Sequence, residues 1–219
     1  MPKINKGLAA AVYWGILGIT ALGALAHENV LRVIHGENIF VNIWYYFTYQ
    51  SAGIITLTLL ASSYAYYRGT ILQWRWLESL RGAATLYSVI TGVVFAVLVG
   101  SASPAAMIDH HVLHQFVPVM MVLGWVLFSP RRYRYRDTLK WLVYPLAYAG
   151  FVLVIGRLTS VYPYDFLNPT DGGYVSVAIM VAILLAGSML VTLAMVKIPF
   201  ARMTSWVWQQ HPAAQLQAK

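Results

Sequence analysis

The sequence contains no cysteine, and only 10% of its 219 residues are Asp, Glu, Lys or Arg. Without cysteine the chain has neither a disulfide framework nor a thiolate to act as nucleophile or metal ligand. A soluble domain needs more charge, because such domains typically carry about 25% charged residues. Hydrophobic residues instead make up 59% of the sequence. The composition therefore argues against a soluble domain and favours a chain whose surface faces lipid.

The hydrophobic residues come in long runs rather than in amphipathic stripes. A helix needs about 20 apolar residues to cross a bilayer core, and six stretches have that length: 8–27, 42–67, 82–101, 107–129, 138–160 and 174–197. Each must be helical, because lipid offers no hydrogen-bond partner to a bare backbone. We predict an all-α polytopic membrane protein. One six-helix transmembrane domain covers residues 1–200, and a cytoplasmic tail covers residues 201–219.

Positive charge is concentrated in alternate connections. Of the 15 Lys and Arg residues, only Arg32 and Arg157 fall outside the N-terminus, the second and fourth connections and the C-terminus. Arg75 and Arg81 are assigned to the second connection. Cytoplasmic loops hold the excess of basic residues, so both termini are predicted to be cytoplasmic. The net charge of +8 therefore indicates topology and contact with anionic lipid, and does not indicate nucleic-acid binding.

The first apolar stretch also resembles a signal peptide. Lys3 and Lys6 precede the apolar run from Leu8, and Ala24-Leu25-Ala26 is typical of a cleavage site. The run is long for a signal peptide, at about 18 residues. We therefore predict a retained first helix.

Polar residues collect on the predicted outer side of the membrane. Such groups are costly inside a bilayer, which makes them functional candidates. At about 1.5 Å of rise per residue, Thr48 lies ~9 Å along the second helix from Asn42, and His114 lies ~7.5 Å along the fourth from Asp109. Both helices enter from outside. The sequence therefore predicts a pocket just below the outer, extracytoplasmic surface.

Each polar residue in these two helices also has a structural interpretation. Thr48 can bond its own helix or a neighbouring one, and His114 can serve as a buried hydrogen-bond partner. Pro118 lies four residues beyond His114 and has no N–H for its carbonyl, so it either kinks the helix or is a tolerated membrane-helix proline. His110 shares a helix face with His114.

Three short motifs, in this order and spacing, resemble those of a known family. They are Trp44-Tyr45-Tyr46-Phe47-Thr48, His111-Val112-Leu113-His114 with Pro118 close behind, and Val161-Tyr162-Pro163 leading to Phe166-Leu167. From about Trp44 to Lys197, the chain is similar to the androgen-induced-type integral-membrane threonine hydrolases, in their small bacterial branch. Those enzymes cleave fatty-acid esters of hydroxy fatty acids.

The resemblance implies a threonine nucleophile at Thr48 and an essential histidine at His114. Three departures accompany it. Pro118 is one residue closer to His114 than in the animal members, and His110 stands where they have Asn. Tyr164-Asp165 are additional residues in the outer loop, which would cover the pocket and influence the choice of substrate.

The leading hypothesis is intramembrane hydrolysis of a fatty-acyl lipid ester through an acyl-threonine, with no cofactor. His114 would take the Thr48 proton and return it to the leaving alcohol. Other residues have candidate orienting or substrate-binding roles. Asp109 or Asp165 could orient the histidine, with His110 and His111 beside it, and Arg157, Tyr162 or Tyr45 could donate to the oxyanion. Trp44 and Tyr45 could form an aromatic wall for the acyl chain, and Arg157 could alternatively pair with a substrate carboxylate.

Two alternatives remain open. In a metal-dependent membrane hydrolase, His110 and His114 would bind zinc with Asp109 or His35, since the i, i+4 spacing suits two ligands. In a lipid-binding or scaffold protein the same architecture would carry no chemistry. A transporter is disfavoured because the apolar stretches lack central acidic residues and paired helix breaks. The sequence leaves the oligomeric state open.

Overall fold

The structure is a computed structural model that describes residues 6–36, 45–99, 111–129, 133–170 and 172–197, and these residues are helical without any strand. The long helices are α1 (Lys6–Ile34), α2 (Phe47–Tyr67), α3 (Arg75–Val99), α4 (Val112–Phe128), α5 (Tyr135–Thr159) and α6 (Gly173–Lys197). The last turn of α3 and the first turn of α4 are π-helical, α5 contains a 3₁₀ turn at Leu139–Leu142, and a short 3₁₀ turn at Asp165–Leu167 precedes α6. The all-α prediction is thus confirmed for the described residues.

Four of these helices, α1, α3, α5 and α6, are long and apolar enough to cross a membrane by length and composition. Apolar side chains project outward from them, as lipid-facing residues do; examples are Ile16, Ile19, Val175, Ile183 and Leu190. Helix α4 is apolar but shorter, and α2 carries many hydroxyl and tyrosine side chains. The chain therefore has the character of a helical membrane protein.

At two of the wrongly predicted helix ends, a charged pair lies on the helix. Helix α1 continues to Ile34 rather than ending at residue 27, and an i, i+4 ion pair between Glu28 and Arg32 lies in the added turns. Helix α3 begins at Arg75 rather than at residue 82, and Glu78 and Arg81 form an i, i+3 pair there. Because side chains three or four residues apart pair on one face of a helix, these charged residues belong to the helices and do not mark their ends.

The assignment of Arg81 to a connecting loop is consequently wrong. Arg81 and Glu78 are both 0% exposed, and an Arg81 Nη2 atom lies 2.7 Å from Glu78 Oε1. The guanidinium also lies over the rings of Trp14 and Tyr66, at 4.9 and 5.2 Å from their centroids. This buried cluster joins α1, α2 and α3 at the end of the bundle away from Thr48.

Small residues bring α1 and α2 together. An added Cβ at Gly15 would lie 2.9 Å from Ser63 Oγ, and one at Gly18 would lie 3.0 Å from a Leu60 methyl carbon. Ser63 also donates a hydrogen bond to the Ala11 carbonyl, at 2.8 Å. These glycines therefore serve close helix packing within the chain.

Candidate functional site

The structure brings together the two residues that the sequence placed at one depth. Thr48 Oγ1, on the first turn of α2, lies 3.3 Å from Nε2 of His114, on the first turn of α4. This is slightly beyond the roughly 2.6–3.2 Å expected of a reacting nucleophile and base, a distance that often tightens only when substrate binds. The pair has the geometry of a hydroxyl beside a proton acceptor.

Helix α2 begins five residues later than predicted, so Thr48 lies in its first turn rather than ~9 Å along it. Tyr46, just before the helix, is extended with φ −99° and ψ 129°, and the Tyr45 carbonyl accepts a hydrogen bond from the Tyr148 hydroxyl. The N-terminal turn of a helix carries partial positive charge and unpaired N–H groups. Thr48 is therefore positioned where developing negative charge is stabilised.

A π-helical turn, Val112–Phe116, holds His114. The Val117 N–H donates to the Val112 carbonyl, five residues back, and Pro118 has no N–H for the His114 carbonyl. Insertions of this kind are frequent at functional sites. A π-turn thus lies directly before Pro118, which is the first-turn proline of the α-helical part of α4.

Helix α3 packs directly against this turn. The rings of Phe95 and His114 lie 4.1 Å apart between centroids. Gly92 makes the approach possible, because an added Cβ there would lie 3.0 Å from the His114 carbonyl oxygen and 3.1 Å from Pro118. The imidazole orientation is therefore determined by contacts from α3 as well as by its own helix.

Thr48 and His114 both line a cavity of about 590 Å³. Much of its wall is aliphatic or aromatic and comes from α5, α6 and the loop between them, which was predicted to be an outer loop. These wall residues include Leu146, Val181, Leu184, Leu185, Pro163 and Phe166. A cavity of several hundred Å³ with apolar walls and few polar groups is typical of a small-molecule site. This shape and lining suit an acyl chain.

Tyr164, which was not among the candidate residues predicted from the sequence, reaches the pair from the loop between α5 and α6. Its phenolic oxygen accepts a hydrogen bond from the Phe47 N–H at 3.2 Å, and the Thr48 side chain is within hydrogen-bonding reach of it. Burial raises the pKa of Tyr164 above the ordinary value of 10.0, and its polar contacts with Thr48, Phe47 and Tyr148 oppose this only in part. The phenol therefore keeps its proton at neutral pH.

Aromatic contacts hold Tyr164 in place. Its ring stacks on Phe166 at 5.1 Å and meets Tyr46 edge-on at 5.9 Å. Because Tyr164 is one of the residues additional to the resembling motif, the motif gave no reason to select it. An aromatic loop above the predicted pocket was the sequence signal that could have pointed to it.

Several other candidate residues lie away from the cavity wall formed by the described residues. Arg157 and Asp165 are exposed, and so is His111, which lies 3.3 Å from Gln115. Tyr162 packs over Gly156, where an added Cβ would lie 2.1 Å from its ring. Tyr45 contributes a carbonyl to the Tyr148 hydroxyl but does not line the cavity. The structure does not bring these five side chains to the Thr48–His114 pair.

Trp44, Asp109, His110 and the tail 201–219 lie outside the described residues. In the part of the chain that the structure describes, no three His, Asp or Glu side chains group as a metal ligand set. His35 does line the cavity, and its Nδ1 lies 2.7 Å from the Leu31 carbonyl oxygen.

Comparison with known proteins leaves this site to be interpreted from its own geometry: no family model, curated protein or solved structure matches the chain.

Proposed function

We propose that the protein is an intramembrane hydrolase of fatty-acyl esters, with Thr48 as nucleophile and His114 as general base. The observation that carries this proposal is the 3.3 Å contact between Thr48 Oγ1 and His114 Nε2 in the wall of an apolar cavity. A neutral hydroxyl is a weak nucleophile, and an adjacent base activates it. The resemblance of the three motifs to the threonine hydrolases supports the same roles, and implies esters of hydroxy fatty acids as substrates.

The reaction proceeds in two halves. Neutral His114 accepts the Thr48 proton at Nε2 while Oγ1 attacks the ester carbonyl, and the tetrahedral intermediate then expels the alcohol, which takes the proton back from His114. Water next attacks the acyl-threonine with His114 again as base, which releases the fatty acid and restores Thr48. This cycle requires the tautomer whose Nε2 is unprotonated in the resting site.

Tyr164 is our candidate donor to the oxyanion. The Phe47 N–H is directed at the Tyr164 oxygen, and the Tyr148 hydroxyl donates to the Tyr45 carbonyl. The Tyr164 hydroxyl also lies within hydrogen-bonding reach of the Tyr148 side chain, so the Tyr148 and Thr48 oxygens are the acceptors beside it in the resting site. An oxyanion that forms next to Thr48 is a stronger acceptor than either neutral oxygen and would take the Tyr164 hydrogen. A preorganised donor in a water-poor site is among the largest contributions to such reactions.

We also propose that all six long helices cross a bacterial cytoplasmic membrane, with both termini in the cytoplasm. The distribution of Lys and Arg supports this orientation, and the polar α2 and shorter α4 pack against the more apolar α1 and α3. The cavity would then open near the outer leaflet, where an acyl chain enters sideways from lipid. The partners are lipid substrates and the surrounding membrane lipids.

A fluorophosphonate probe tests the assignment of the nucleophile. We expect peptide mapping by mass spectrometry to place the phosphonyl group on Thr48, and the Thr48→Ala variant to lose labelling. Thr91→Ala is the matched control, because Thr91 also lines the cavity but lies 3.3 Å from Ser51. Labelling that persists in Thr48→Ala, or that maps to another residue, would contradict the proposal. Activity that a chelator removes would favour the metal-dependent alternative instead.

Tyr164→Phe is expected to lower kcat by roughly 10²–10³-fold, as loss of one oxyanion donor does, with little change in KM. The ring contacts with Phe166 and Tyr46 remain, but the Phe47 N–H loses its acceptor. The free energy of unfolding should therefore fall by only about 1–3 kcal/mol. Steady-state kinetics on a fatty-acyl ester give both constants. Tyr162→Phe is the control from the same loop, and equal kinetics in the two variants would contradict a catalytic role for Tyr164.

A further inference from the structure

A second polar group lies in the cavity wall, on the outer end of α1. Glu28 is only 4% exposed and lines the cavity with Arg32 and Tyr49. Its Oε1 atom lies 2.7 Å from Arg32 Nη2 and accepts hydrogen bonds from Arg32 Nε at 2.9 Å and from the Tyr49 hydroxyl at 2.8 Å. All these contacts converge on one oxygen of the carboxylate.

The other oxygen, Glu28 Oε2, is buried and has no hydrogen-bond partner among the described residues. Buried polar atoms nearly always have a partner, and each exception calls for an explanation. Here the unpaired acceptor belongs to a residue in the wall of the proposed substrate cavity. A donor carried by the substrate explains it.

The charge of the Glu28–Arg32 ion pair restricts which chemical group of a substrate can be the donor. Arg32 neutralises Glu28, so the pair offers a hydrogen-bond acceptor without a net negative charge. A hydroxyl supplies a donor without adding charge, whereas an ionised carboxylate has only acceptors and would meet the Glu28 carboxylate. The group is therefore better suited to a neutral, hydroxylated head group than to a free fatty-acid carboxylate.

Glu28, Arg32 and Tyr49 line the same cavity as the proposed nucleophile, Thr48. Tyr49 follows Thr48 directly, and its hydroxyl contacts both Glu28 and, at 3.1 Å, Arg32. Another part of the cavity wall is apolar, with Leu146, Val181 and Leu184 from α5 and α6. An ester whose carbonyl lies at Thr48 can thus extend its acyl chain along this wall and its alcohol portion towards Glu28.

We propose that the substrates are acyl esters whose alcohol portion keeps a free hydroxyl, such as monoacylglycerols, and that Glu28 Oε2 accepts the hydrogen bond from that hydroxyl. This inference rests on the proposed esterase function, since it assigns the head group of that substrate. It departs from the carboxylate-bearing esters that the motif resemblance implies.

Binding of two unreactive ethers tests the head group. The probes are 1-O-hexadecylglycerol, which carries hydroxyls, and hexadecyloxyacetic acid, which carries a carboxylate at a comparable position. Isothermal titration calorimetry of the full-length protein in micelles is expected to show the glycerol ether binding at least ~10-fold more tightly, an affinity ratio within the range of one hydrogen bond. Tighter binding of the carboxylate ether to the wild type would overturn the assignment.

The Glu28→Gln variant tests whether the Glu28 carboxylate sets the preference between the two ethers. An amide can donate to a carboxylate, and Arg32 loses its neutralising partner, so the preference between the two ethers is expected to shift towards the acid by more than ~10-fold. Asp137→Asn, a change at an exposed acid of α5, should leave the ratio as in the wild type. An unchanged ratio in a folded Glu28→Gln protein would also overturn the assignment.

The two ethers contain no scissile ester, so their binding does not depend on catalysis. If fluorophosphonate fails to label Thr48 while the glycerol ether still binds preferentially, the esterase proposal is wrong and the head-group site stands. If Thr48 is labelled and the carboxylate ether binds better, only the head-group assignment is wrong. The wild-type comparison decides the sign even if Glu28→Gln does not fold.

Discussion

Glutamine in place of His114 is expected to lower kcat for ester hydrolysis by roughly 10²–10⁴-fold, the typical contribution of a positioned general base. Glutamine keeps a polar side chain of similar length, but its amide does not accept a proton from a hydroxyl at neutral pH. The rate of phosphonylation at Thr48 should fall in parallel, because that reaction needs the same activated oxygen. Single-turnover kinetics and the labelling rate measure the two effects.

His111→Gln is the control for this variant. His111 lies on the same helix, three residues earlier, but it is exposed and lies beside Gln115 rather than Thr48. We expect wild-type kinetics from it. The double variant Thr48→Ala/His114→Gln should be no slower than Thr48→Ala alone, since residues that act as a unit are strongly non-additive. A His114→Gln enzyme with nearly full activity would show that the contact with Thr48 is structural.

Apolar runs predicted the helices well, because the length of a run is a local property of the sequence. Helix ends were predicted less well wherever a charged pair lay on the helix itself. Arg81 illustrates the difference: counted by sequence position it belonged to a basic loop, whereas in the structure Glu78 pairs with it inside the bundle. Charge alone does not distinguish an interfacial arginine from one that is buried and paired.

The meeting of Thr48 and His114 was predictable because each lies near the N-terminal end of a helix and both helices were predicted to enter the membrane from the same side. The motif resemblance named the same two residues. Tyr164 and Glu28 were not predictable in the same way. Tyr164 reaches the site through the fold of the outer loop, and Glu28 through its burial against α2. Both depend on tertiary placement, which neither periodicity nor spacing records.

The Glu78–Arg81 pair carries the second large prediction, and it concerns stability. Glu78→Gln leaves a fully buried guanidinium without its carboxylate, so we expect the free energy of unfolding to fall by about 3–5 kcal/mol, as when one partner of a buried pair is removed. The rings of Trp14 and Tyr66 and the Phe128 carbonyl, 3.4 Å from Arg81 Nη2, offset this loss only in part. Titration with SDS in mixed micelles, followed by circular dichroism, measures the change.

The double variant Glu78→Leu/Arg81→Met separates the cost of an unpaired charge from any net contribution of the pair. Removing both charges avoids the buried, uncompensated ion, and apolar replacements of buried pairs are often neutral or stabilising. We therefore expect the double variant to be far more stable than Glu78→Gln. Asp137→Asn, an exposed change, should stay within about 0.5 kcal/mol of the wild type.

A Glu78→Gln protein as stable as the Asp137→Asn control would contradict this account of the buried pair. The pair lies at the end of the bundle away from Thr48, so the molecules of Glu78→Gln that remain folded should keep wild-type kcat. His114→Gln should show the opposite pattern, with catalysis lost and the free energy of unfolding largely kept. The two variants together therefore separate what holds the helices together from what acts on the substrate.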